Sequence, residues 1–442
     1  MAARVAVIGA GIAGLAAAYR LKKAGLAAVV LEKESFVGGR MSSEVADGFT
    51  IDKAAYTFPE YHTNLTTFLA ELGMKSALVR TAGTSRTYAR GKAYEVKIGS
   101  PADFLKYKLL SLKNKKDMVK LFLYAQALGS ALNMAEPTQK TFELEKERAS
   151  DYILENYDSE ILEHVAWPIF CEILLGNPEE NSKVPFLATL KNLSWFKIFS
   201  FSRGMGMLPE RLGADLEVRL NSPVNVVKSA SGSGGYEVEI GGDHPEKLVF
   251  DGVIFSVPSP LIPEMLVGLS PRAKRLLQEI PYSKSIVTAF AVDRTYDDTA
   301  MINNLSRDTF KTVGTIVFDN HKGPNRVPEG KELVTAILCE KASSALMDEP
   351  EDKVISSVIQ EIDPLFPGFS DRLIFSRVYR WPYGAVQFPP GAILRHDEAR
   401  RVLDQEFQRI CFAGDGLHKT SLEVSFNTGV RAANRVVKEL AV

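Results

Sequence analysis

VAVIGAGIAGLAAAYRLKKAGLAAVVLEKESFVGGR, residues 5–40, is the stretch whose reading decides the fold. Residues 4–8 form a short apolar run ended by glycine, the pattern of a buried parallel strand. IAGLAAAYRLKKA (12–24) is a helix pattern rich in Ala and Leu, closed by Gly25. AAVVLEKE (27–34) is a second buried strand. Strand, helix and strand in this order imply an α/β sheet with right-handed crossovers. Between the first strand and the helix stand Gly9, Ala10, Gly11, Ile12, Ala13 and Gly14, a GxGxxG turn. Such glycines permit a tight turn, close backbone approach to a pyrophosphate and tight helix–strand packing. The helix start adds free N–H groups and a positive dipole end. Glu32, with Lys33 beside it, closes the second strand, where a carboxylate accepts ribose hydroxyls. Taken alone, Glu32 also reads as a solvated strand-end charge.

Working outward, 442 residues suffice for two or three domain-sized units with a large core. A net charge of −1 gives no field that would draw in nucleic acid. Three widely spaced cysteines and six histidines without ligand spacing argue against a disulfide framework and against a metal site. No basic leader with a cleavage-like site precedes the first strand, and no apolar run is long enough to span a bilayer. A cytoplasmic protein, with peripheral membrane contact as an option, is the expectation.

Residues 100–200 carry mostly helical patterns. From 203 strand patterns return, with SGSGG (231–235) as a hairpin turn between them, and 409–440 reads as strand, glycine turn and helix. WPYGAVQFPPG (381–391) reads as a proline-stiffened loop leading to that last strand.

With Gly38, Gly39 and Arg40 the resemblance becomes specific. Residues 5–40 look like the FAD-binding opening of the superfamily of flavin amine oxidases, protoporphyrinogen oxidases and phytoene-type desaturases. The resemblance implies that Arg40 reaches the FAD pyrophosphate, a contact suited to the guanidinium fork; a surface salt bridge is the plainer alternative. GFTIDKAAYTF (48–58) resembles the segment passing the flavin ring, here Ala54, Ala55 and Tyr56, with alanines where glycines are common. GMGMLPERLGADLEVRLNSPVNVV (204–227) resembles the family's return to the FAD domain, implying Val224 beside adenine. FAGDGLHKTSLEVSFNTGVRAANRV (412–436) resembles the closing strand, turn and helix. It implies Gly414 and Asp415 by the pyrophosphate and ribityl chain, and Val424, Ser425 and Phe426 by the isoalloxazine. Asp415 also reads as a helix cap.

The resemblance implies a discontinuous Rossmann-type FAD-binding domain (1–85, 203–284 and 378–442). It also implies a substrate domain of mixed β-sheet (285–377) and helices (86–202). Amine oxidases of this superfamily carry an aromatic pair facing the flavin, a lysine near flavin N5 and, in some, a flavin-linked cysteine. Here the cysteine position falls on Tyr383, the cage positions on Gly384 and Ser425, and the lysine position near Val287, with Lys284 three residues earlier. Without a cage suited to small cations, the resemblance points to an oxidase or desaturase with non-covalent FAD and a bulky apolar or polycyclic substrate. The electron acceptor would be oxygen or a quinone. An amine or amino-acid oxidase with an altered pocket is the alternative. Tyr56, Trp381, Tyr383, Gln387 and Phe388 are the pocket candidates, and no general base stands out. Residues 104–123 mix lysines with Phe104, Leu105, Leu109, Leu112, Val119 and Phe122. They suit an anionic membrane surface, or a solvated helix packed on its own domain.

Overall fold

The computed structural model describes residues 3–193, 197–231, 234–243, 245–296 and 300–441. Its base is a parallel sheet of five strands, in the order Glu217–Arg219, Ala27–Leu31, Arg4–Ile8, Gly252–Phe255 and Ile410–Phe412. The central strands bury both faces, which is why they read as continuous apolar runs, while the edge strand Glu217–Arg219 stays partly exposed. Val5, Val7, Val30 and Ile254 pack with helices Ile12–Lys23 and Leu422–Leu440. Ala6, Ile8, Val29 and Phe255 pack into a second core on the other face. The helices approach closely through glycine: a Cβ on Gly14 would stand 2.0 Å from Gly9 O, and one on Gly429 would stand 2.1 Å from Ala13 O.

Beside this sheet lies an antiparallel meander of Val224–Ser229, Tyr236–Ile240 and Glu246–Phe250. The hairpin turn expected at 231–235 falls partly outside the described residues, at 232 and 233. A second, seven-stranded sheet runs in the order Leu373–Val386, Tyr282–Val292, Glu332–Leu338, Val313–Phe318, Ile302–Leu305, Thr84–Ala89 and Lys92–Lys97. Its pairs are antiparallel except Ile302–Leu305 with Thr84–Ala89.

Two readings need correction. Residues 381–386 are not a loop but the end of the strand Leu373–Val386. Pro382 is tolerated because this strand is an edge and its ladder is irregular between Ser283 and Ser285. The FPPG turn then starts a helix, Ala392–Glu406, from Gly391 at φ 82°. The carboxylate of Glu145 accepts the N–H groups of Ile393 (2.7 Å) and Leu394 (3.0 Å) at that helix start. Residues 104–123 are likewise not one helix. They break between Pro101–Lys106 and Leu112–Leu128, where Ser111 caps the second helix.

Where the two sheets meet, Asp52, Asp319, Lys322 and Arg326 are almost wholly buried. Lys322 bridges Asp52 (3.2 Å) and Asp319 (2.5 Å), and Arg326 pairs with Asp52. Burial alone would raise the Asp52 pKa. Lys322 and Arg326 outweigh it and hold the group below the usual carboxylate range. The four charges balance, so the neighbouring Glu332, 2% exposed, is a fifth group without a cation of its own among the described residues. Burial first, then the Asp319 charge, push the Glu332 carboxyl up to about 8.

A carboxyl with a raised folded pKa holds its proton more tightly when folded. Its contribution to stability is full at low pH and falls as pH rises toward about 8. Glu332→Gln is expected to lose less thermal stability than the parent between about pH 5 and pH 8. Parallel melting curves across that window check this; identical slopes for the two proteins would refute it.

Candidate active site

A single cavity of about 1510 Å³ runs from the carboxyl ends of the parallel strands to the face of the seven-stranded sheet. Pockets for one small ligand occupy roughly 300–1,000 Å³, so this one has room for a dinucleotide and a substrate together.

At the sheet end the wall is formed by Gly9, Gly11, Ile12, Ala13, Glu32, Lys33, Gly38, Gly39 and Arg40. A Cβ on Gly11 or Gly414 would meet no protein atom within 4 Å. Both glycines leave bare backbone facing open space. Helix Ile12–Lys23 starts at Gly11 with no side-chain cap, so its first N–H groups stay available to an anion. Two other helix starts take protein carboxylates: Glu145 as above, and Glu423, which accepts from Asn64 and Leu65 N–H at 2.9 Å. An uncapped helix start, a glycine-lined floor and an adjacent guanidinium fit a pyrophosphate. Glu32 is oriented by Ala10 N–H (2.6 Å) and Glu34 N–H (3.0 Å), and burial raises its pKa against those bonds. Val224 lies on the same wall.

Arg40 joins the two ends of the chain. Nη1 donates to Gly384 O at 2.7 Å and Nη2 to Asp415 Oδ1 at 2.8 Å. Asp415 is 4% exposed at its side chain and also accepts from Thr420 Oγ1 at 2.7 Å. Burial pushes Asp415 up, but Arg40 overrides it and holds the carboxyl below the ordinary range. Arg40 and Asp415 both face the cavity as a neutral pair, which removes the repulsion a lone Asp415 would offer a phosphate.

Ala54, Ala55, Tyr56, Gly414, Val424 and Ser425 line the cavity, as do Trp381 and Tyr383. Trp381 Nε1 is fixed on Lys53 O at 3.0 Å, and Tyr383 packs edge-on against Tyr282. Gly14 and Phe426 lie behind the wall: Gly14 is pressed against Gly9, and Phe426 packs on Phe68 at 4.7 Å. Gln387 and Phe388 are not pocket residues. The Gln387 amide is consumed by Leu174 O (3.0 Å), Ser283 Oγ (3.2 Å) and Asn181 Nδ2 (2.9 Å). Phe388 is 3% exposed in the core, packed on His396. At Gly384 a Cβ would stand 2.8 Å from Ser285 Cβ, so this register rejects any side chain there. Val287 lines the cavity, and Lys284 does not.

Two polar wall residues were missed by the sequence reading. Lys419 has no carboxylate partner among the described residues, and burial lowers its pKa to about 8. Glu172 faces the cavity and accepts the Tyr56 hydroxyl at 2.7 Å. Its signal was hidden because it sits inside the apolar run WPIFCEILL.

Among known proteins, the family described as flavin containing amine oxidoreductase matches residues 12–437. Protoporphyrinogen oxidase 2 of Arabidopsis thaliana is 23% identical, over 99% of this chain and 94% of its own. Coproporphyrinogen III oxidase of Staphylococcus aureus is 23% identical over the full length of both. The solved cyclohexylamine oxidase of Brevibacterium oxydans shares the fold, with TM-score 0.77 and 17% identity over the full length of both chains.

Arg40→Ala is expected to lower flavin retention and to leave Asp415 as an unpaired buried charge, a loss of about 3 kcal/mol. Flavin absorbance per protein after dialysis reads the first effect. Denaturant unfolding of the flavin-free protein reads the second. Glu32→Ala should lower retention alone. Full flavin content in Arg40→Ala would show that the guanidinium serves the fold and not the cofactor.

Proposed function

We propose, since the chain belongs to the flavin containing amine oxidoreductase family and is an FAD-dependent oxidoreductase, that it oxidises a bulky apolar molecule, polycyclic or polyene. The observation that carries this is the substrate end of the cavity. Its walls are Ile98, Met118, Ile169, Val287, Ile302 and Ile337, with no aromatic at position 384 or 425. Ser425 leaves width where a small amine would be gripped, and at Gly384 the packing against Ser285 admits no aromatic. The Arabidopsis and Staphylococcus relatives are named for porphyrinogens, substrates of this class.

FAD, when bound, supplies two-electron oxidation of a C–H bond. The chain's own residues hold it through the glycine turn, Arg40 and Glu32, exclude water with the aliphatic walls, and present the substrate between Tyr56, Trp381 and Tyr383. Cys171, Cys339 and Cys411 are buried and none lines the cavity, which supports non-covalent FAD. Oxygen or a quinone would take the electrons.

The cavity opens beside an apolar surface. Leu105, Leu112, Val119 and Leu123 are 61%, 76%, 45% and 60% exposed, among the exposed Lys106, Lys108, Lys113, Lys116 and Lys120. Val119 and Leu123 also line the cavity. No helix among the described residues is long and apolar enough to cross a membrane. A cytoplasmic enzyme that rests this patch on an anionic bilayer, and draws its substrate from there, accounts for both features.

Anaerobic mixing with porphyrinogens, polyenes, steroids and simple amines is the test. Porphyrinogens or polyenes should bleach the flavin; bleaching by small amines alone would replace this reading with an amine oxidase. The FAD-loaded enzyme should also sediment with phosphatidylserine-containing vesicles. That binding should weaken in high salt and disappear in Leu112→Asp/Leu123→Asp. Equal binding by the double variant would remove the membrane assignment.

A further inference from the structure

We propose that Glu172 is the proton acceptor of the reaction, its carboxylate aimed into the cavity by Tyr56 and by the π-helical turn that carries it. The inference rests on the oxidation assigned to this cavity, but not on which bulky substrate enters.

Glu172 stands in the turn Ile169–Leu174, whose wider backbone spacing departs from an α-helix; such turns recur at functional sites. Three contacts hold the turn in place. Cys171, on the preceding residue, fills the space left by Gly314 on the strand Val313–Phe318, where a Cβ would stand 1.9 Å from its Sγ. Gly176 N–H closes on Phe170 O at 2.9 Å. Gln387 Nε2 donates to Leu174 O at 3.0 Å, which gives that buried amide a purpose. The turn therefore cannot rotate Glu172 away from the cavity without breaking its packing on the sheet.

Glu172 Oε1 accepts the Tyr56 hydroxyl. Oε2 has no protein partner among the described residues and is not one of the enclosed unpaired atoms, so it looks into the cavity. No cation among the described residues pairs with the carboxylate. Lys322 lies 5.1 Å from the centre of the Tyr56 ring but is committed to Asp52 and Asp319. The other titratable groups near this corner are Asp319, which acts on Tyr56, and the neutral thiol of Cys171. Burial pushes the Glu172 carboxyl up to about 7, against the lowering effect of the Tyr56 bond. A base poised there is half ionised near neutrality and is matched to proton transfer at working pH.

The balance is simple. One substrate C–H bond breaks, and its hydrogen and electron pair leave to the two-electron acceptor that FAD, when bound, would supply. One N–H or adjacent C–H bond breaks, and its proton forms an O–H bond on Glu172 Oε2. A C=N or C=C bond forms in the substrate.

The test uses the FAD-loaded protein. With the compound that reduces the wild-type flavin, anaerobic reduction rates should rise with pH through about 7. Glu172→Gln keeps an acceptor for Tyr56; it should slow reduction by about 100-fold or more and lose that pH limb. Tyr56→Phe removes a bond that lowers the pKa, so its limb should move to higher pH. Infrared difference spectra of the substrate-free enzyme should show a protonated carboxyl disappearing through about pH 7 that Glu172→Gln removes, leaving the later Glu332 band that both proteins share. If no porphyrinogen or polyene reduces the flavin, the substrate reading fails while the infrared titration still decides the ionisation of Glu172. A variant Glu172→Gln that reduces at the parent rate with the parent pH profile, or a parent without the titrating carboxyl, overturns the proposal.

Discussion

A guanidinium and a carboxylate separated by 375 residues of chain close the floor of the cavity. Arg40 reaches Gly384 on the edge strand of one sheet and Asp415 at the end of the other, so three distant segments share one charge. Arg40 cannot leave without stranding Asp415 as a buried ion. The position of the closing turn, and with it Ser425 and Lys419, follows from this pair. So does the end of the strand Leu373–Val386, which Thr420 Oγ1 also holds through Val386 N–H at 2.8 Å.

The same logic recurs one layer back. Asp52 follows the apolar strand residues Phe49 and Ile51 and takes Lys322, Arg326, Met205 N–H and Ser43 Oγ. Charged groups thus fix how the sheets meet, while the space between them is left to aliphatic walls. The division suits an oxidative site: paired charges anchor the floor and the layer behind it, while the substrate end is walled by aliphatic side chains. Inside, Glu172 and Lys419 carry a shifted ionisation with no ion pair among the described residues to explain it.

Much of the parallel sheet was legible. Strands buried on both faces show as apolar runs, and glycine marked where the backbone turns or helices touch. The closing strand and helix were legible for the same reason, and the half-exposed meander from its β-branched strands and glycine turn. The hairpin Thr84–Ala89 and Lys92–Lys97 was not: its strands do alternate, but the buried side is carried by small or polar residues such as Ser85 and Thr87, a weak apolar signal. Pro382 argued against a strand, and only the edge position explains it. Glu172 read as one charge in a helical run, because a period of 3.6 residues cannot reveal a local π turn. Gln387 was misplaced because composition alone does not say whether an amide faces a cavity or backbone carbonyls.

The parallel sheet takes strands from residue 4 and from residue 412, and Gly414 and Asp415 on the cavity wall follow directly. A nascent chain halted before this last strand has the glycine turn but not the opposite wall. The cofactor cleft is therefore completed late in synthesis. Flavin loading becomes a checkpoint on the whole fold: a bound yellow cofactor reports that the first strand and the last have met.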